Sequence, residues 1–128
     1  MGIAALIAWL VAALGGFVML GIWVARGGRR PDGTRLAPGL MFGHFALAAI
    51  GLVIWIVYLI TETDVLAWIA VGLLVIVALL GFTMFGRWLS SRRTAVAEAK
   101  FPVPIVLVHG LLGATTLVLS LLTALGVG

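Results

Sequence analysis

Four long apolar runs dominate the chain, at roughly residues 2–25, 38–60, 65–89 and 102–126, with short polar connections between them. Each run reaches the about 20 residues that cross roughly 30 Å of hydrocarbon. None carries the polar face of a helix that lies on a membrane surface. The second run opens at Pro38 and the fourth near Pro102 or Pro104, and proline is well tolerated in a first helical turn. The pattern predicts an all-α membrane protein, with four transmembrane helices in an up-down bundle. The connections are too short for a second domain, so 1–128 reads as one unit.

Composition agrees. Of the 128 residues, 64% are hydrophobic and 9% charged, more apolar surface than a soluble domain of this length can hide. The chain has no cysteine, which excludes disulfides, thiolate metal sites and covalent c-type haem attachment. The first run reads as a retained helix and not a signal peptide. It lacks a basic leader, it is too long, and "VARGGRR" follows it where a cleavage site would be.

Charge sets the expected orientation. Arg26, Arg29, Arg30 and Arg35 flank the first connection, and Arg87, Arg92, Arg93 and Lys100 flank the third. The second, "TETDV", carries Glu62 and Asp64 and no cation. By the positive-inside rule the basic connections are cytoplasmic and both termini outside, as in a bacterial-type inner membrane. Anionic lipid headgroups are the expected neighbours of this charge. No basic, aromatic-rich surface for nucleic acid is present.

The chain also matches itself at an offset of 65. "GFVMLGIW" at 16–23 falls on "GFTMFGRW" at 81–88, with identity at five of eight positions. At the same offset His44 falls on His109, Leu47 on Leu112, Ala49 on Ala114 and Arg35 on Lys100. Two tandem helical hairpins, 1–63 and 64–128, follow from this. Two spans return the chain to its starting side, so the hairpins should be related by a pseudo-two-fold axis along the membrane normal.

His44 and His109 are the only histidines. Each lies six or seven residues into its helix, about 10 Å at 1.5 Å per residue. Ionisable groups inside a span are functional candidates by default. Same-face neighbours stand at i+3, i+4 and i+7. For His44 the last two are Ala48 and Gly51, and for His109 they are Gly113 and Thr116. All are small enough for a flat macrocycle to approach the helix. Arg35 and Lys100, nine residues before each histidine, would meet the propionates of a haem. Trp23 and Trp88 lie near the same boundary. The second ring nitrogen of each imidazole is expected to bond a backbone carbonyl one turn earlier in its own helix.

This arrangement resembles small membrane b-type cytochromes, in which histidines on different helices of a four-helix bundle clamp haem b. It departs from the cytochrome b561 pattern of two histidine pairs, because this chain has one pair. The resemblance implies a single haem near the cytoplasmic face, ligated by His44 and His109. The haem would exchange electrons with quinol, a partner subunit or a soluble donor. Two histidines leave no open iron position for sensing a gas.

Other readings of the same residues stay open. Each histidine can be a packing residue in a cofactor-free structural or assembly subunit of a membrane complex. Met19 and Met84, expected at the depth of the histidines, can complete a two-His, two-Met site for Cu(I), or simply fill gaps. Gly15, Gly16, Gly21, Gly81 and Gly86 are expected to allow close helix contact, within one chain or in a homo-oligomer. Glu98 reads as a solvated loop charge or a partner for a nearby arginine. No hydrolase constellation is present, and no span carries the acidic residue usual in a proton-coupled transporter.

Overall fold

A computed structural model describes residues 1–127. It is all-helical: α1 (Gly2–Ala25), α2 (Pro38–Thr61), α3 (Asp64–Ser91) and α4 (Val103–Ala124), with a short 3-10 turn at Ala97–Lys100 before α4. Each of the four helices is long and apolar enough to cross a membrane. Prolines stand in the first turns of α2 and α4, where the missing N–H has no helical partner to lose. Glu62 ends α2 in a left-handed conformation, with φ of 55° and its N–H on Tyr58 O at 2.7 Å. Only Glu62 and Thr63 separate α2 from α3.

α1 packs along α4 and α2 along α3, with further contact between α3 and α4 and between α1 and α2. Lipid chains are as apolar as leucine, so close backbone approach and packing drive helix association in a bilayer. Buried alanines provide that approach: Ala5, Ala8 and Ala12 on α1, Ala67 and Ala70 on α3. The expected glycine seam is only partly used. A side chain at Gly21 or Gly86 would touch nothing within 4 Å, whereas Gly15, Gly16 and Gly81 abut the histidines. Large apolar side chains such as Ile60, Phe82 and Leu111 point outward. Water would penalise that surface and hydrocarbon would not.

Two tryptophan-centred clusters fill the interior. One, with Trp9 and Trp55, lies where the start of α1 meets the ends of α2 and α4. There Trp55 Nε1 donates to Gly2 O at 3.1 Å. The other, with Trp23, Met41, Trp88 and Phe101, lies beneath the two basic connections.

Those connections are tied to each other. Ala97 N donates to Gly33 O at 2.7 Å, and Glu98 reaches across into the first connection. Its Oε1 accepts from Thr34 Oγ1 at 2.8 Å, and its Oε2 accepts from Arg35 N at 2.7 Å and Leu36 N at 3.0 Å. Glu98 is fully buried. The expectation of a solvated loop charge is therefore corrected. Three donors replace the water that an isolated buried carboxylate would miss. Thr34 extends the network by accepting from Trp23 Nε1 at 3.0 Å.

Candidate functional site

His44 on α2 and His109 on α4 meet inside the structure. Their ring centroids are 6.3 Å apart, with the planes inclined at 64°. Each ring is pinned through Nδ1, which donates to a backbone carbonyl: His44 to Val77 O at 3.0 Å, His109 to Ala12 O at 2.7 Å. These acceptors lie on α3 and α1, so the expected carbonyl one turn earlier in the same helix is corrected. A carbonyl of the neighbouring helix presents its spare lone pair to the ring.

Close approach makes these bonds possible. A Cβ at Gly16 would stand 3.2 Å from His109 Cε1, and one at Gly81 would stand 3.3 Å from His44 Cε1. Ala12 and Val77 are 65 positions apart, as are Gly16 and Gly81 and the histidines themselves. The repeat in "GFVMLGIW" and "GFTMFGRW" thus contained the glycines that seat the rings. The carbonyl partners had no side-chain signal by which to be found.

The other candidate positions divide. Gly51 is not beside a histidine; its face packs on the Trp9 indole, where a Cβ would lie 3.1 Å from Cζ2. Ala48 is half-buried, and Gly113 has open space where a Cβ would stand. Thr116 is buried and donates to Leu112 O at 2.8 Å in its own helix. Arg35 donates from Nη1 to Ser90 O at 3.1 Å, near the end of α3, and Lys100 is exposed. Met19 and Met84 pack against the cluster holding Trp23 and Trp88, the gap-filling use of a flexible thioether.

The chemistry of the pair is narrow. An imidazole that donates through Nδ1–H is neutral at Nε2 and keeps a lone pair there. Among the described residues, no three His, Cys, Asp or Glu side chains converge on a metal-sized site. Two imidazoles alone do not fill the four positions of a structural zinc ion. They would serve as two ligands of an ion that brings its remaining ligands with it. Two bonds of about 2 Å each to ring nitrogens, plus the half-widths of the rings, call for centroids roughly 6 Å apart. The 6.3 Å separation meets that requirement.

Comparison with known protein families, with characterised proteins and with solved structures finds no match. The functional reading therefore rests on the site itself.

Proposed function

We propose that this protein is a membrane-embedded b-type haem protein, with one haem held between His44 and His109 and one-electron transfer as its activity. The observation that carries the proposal is the paired imidazole geometry: two rings 6.3 Å apart, each anchored through Nδ1 to a carbonyl of the adjacent helix. In this reading the Ala12 and Val77 carbonyls fix the tautomer, orient Nε2 toward the iron and raise its basicity. Gly16 and Gly81 let the rings seat against α1 and α3. The apolar walls keep water from the site, which tunes a redox centre. When bound, the haem supplies a one-electron iron couple that none of the chain's own side chains provides.

The finer architecture belongs to the same proposal. The four spans form an up-down bundle of two tandem hairpins, 1–63 and 64–128, related by a pseudo-two-fold axis. The matched pairs Ala12 and Val77, and Gly16 and Gly81, support that relation. The Arg-rich connections face the cytoplasm, with the termini on the opposite side, and the haem lies nearer the cytoplasmic face. Arg35 and Lys100 stand at that face, and Ala48, Gly113 and Thr116 offer small surfaces near the ligand helices. Quinol or a partner subunit at that face is the electron donor or acceptor.

The test is an absorption spectrum of detergent-purified protein produced with ample haem, before and after dithionite. A Soret band with sharp reduced α and β bands, absent in His44→Ala and in His109→Ala, is the expected result. A colourless folded protein would defeat the proposal and leave a cofactor-free assembly subunit. Metal analysis of the same sample tests copper.

A further inference from the structure

The cluster beneath the basic connections contains two indoles, Trp23 and Trp88, 65 positions apart. Their N–H groups fare differently. Trp23 Nε1 donates to Thr34 Oγ1 at 3.0 Å. Trp88 is 3% exposed, and its Nε1 has no hydrogen-bond partner among the described residues. An indole N–H can only donate, and a buried donor without an acceptor is destabilising. The residue 65 positions beyond Thr34 is Ala99, so the second hairpin offers no hydroxyl in the corresponding place. An acceptor from outside the chain would satisfy the Trp88 N–H.

Its surroundings favour an anion. The Arg92 guanidinium carbon lies 5.3 Å from the centre of the Trp88 ring. The Arg35 guanidinium bonds Ser90 O, two residues along α3. The buried carboxylate at this end, Glu98, is already engaged by Thr34, Arg35 N and Leu36 N. Trp88 also follows Gly81 by seven residues, which places it on the face of α3 that meets His44, about 10 Å nearer the basic connections.

We infer that Trp88 Nε1 donates to a propionate carboxylate of the haem, with Arg35 and Arg92 supplying compensating charge. The inference rests on the bis-histidine reading above. Trp88 is thus a cofactor-binding residue that fixes which edge of the macrocycle faces the basic connections. Trp23, satisfied within the chain, has no such role.

The test uses the full chain loaded with haem and compares wild type, Trp88→Phe and Trp23→Phe. Phenylalanine keeps an aromatic ring and removes the N–H. Two quantities are read: the propionate bending vibration by resonance Raman, and the rate of haem loss to excess apo-globin. Trp88→Phe should keep the bis-histidine optical spectrum, shift the propionate band and release haem about tenfold faster, equivalent to about 1.4 kcal/mol. Trp23→Phe should leave the propionate band where it is in wild type. Wild type reconstituted with haem dimethyl ester, which lacks the carboxylates, should also lose its cofactor faster, so the result survives a variant that fails to fold. An unchanged band and rate in Trp88→Phe, or equal retention of haem and its ester, would overturn the inference while leaving the histidine pair standing. Wild-type protein that takes up no haem would overturn both.

Discussion

Removing the Glu98 carboxylate is expected to loosen the whole end of the structure that holds the basic connections. The side chain is fully buried and accepts hydrogen bonds from three groups of a segment more than 60 positions away in sequence. Bonds to a charged acceptor contribute about 1.5–3 kcal/mol each, and a stranded buried donor costs about 1–3 kcal/mol. Leu36 is buried, and its N–H also donates to Thr34 Oγ1 at 2.9 Å, so it keeps one acceptor when the carboxylate is gone. Arg35 is exposed, and its N–H can turn to water. Thr34 can redirect its hydroxyl to Leu36 O, 3.1 Å away. Counting all three bonds in part, Glu98→Ala should destabilise the protein by about 2 kcal/mol. Glu98→Gln keeps one acceptor oxygen for the two backbone donors but turns an amide N–H₂ toward Thr34, and should cost about 1–2 kcal/mol. The assay is reversible unfolding in mixed micelles with increasing denaturing detergent, followed by tryptophan fluorescence, because Trp23 reports on the same network. Combining Glu98→Ala with Thr34→Val should show a coupling of about 1–2 kcal/mol. A Glu98→Ala protein within about 0.5 kcal/mol of wild type, the range of an ordinary surface substitution, would refute the view that this carboxylate binds the two connections together.

Further outcomes follow from other parts of the structure. Gly16→Ala and Gly81→Ala place a methyl 3.2 and 3.3 Å from a histidine Cε1; both should shift the ring and speed haem loss several-fold by the same transfer assay, while Gly21→Ala, with open space beside it, should not. Ser120 is buried, and its hydroxyl has no partner among the described residues, so Ser120→Ala should be neutral or stabilise by up to about 1 kcal/mol in the micelle unfolding assay. Trp55→Phe removes the bond to Gly2 O and should cost about 1 kcal/mol, with faster amide exchange confined to the start of α1. Gly51→Leu drives a side chain into the Trp9 indole and should cost about 1–3 kcal/mol by overpacking, without altering the optical spectrum of a bound haem.

The four spans were legible in the sequence because they depend on local properties alone. Residues 2–25 and 38–60 correspond to Gly2–Ala25 and Pro38–Thr61, and 65–89 and 102–126 to Asp64–Ser91 and Val103–Ala124. Mean hydropathy over a window and proline at a helix start are enough to fix such elements. The two histidines could likewise be singled out, since an imidazole in hydrocarbon is conspicuous wherever it stands. That they meet at 6.3 Å, and on which carbonyls they rest, was decided by how α1 packs on α4 and α2 on α3. A backbone carbonyl is chemically the same at every residue, so no pattern of side chains marks Ala12 or Val77 as an acceptor. Glu98 shows the converse. By its neighbours in "RRTAVAEAK" it belongs in water, and only the first connection, folded back over it with three donors, makes its burial possible. Periodicity and composition act over a few turns of helix, and they determined which segments are long and apolar enough to cross a bilayer. Which polar groups find one another depends on contacts between segments far apart in the chain, and those exist only once the helices have packed.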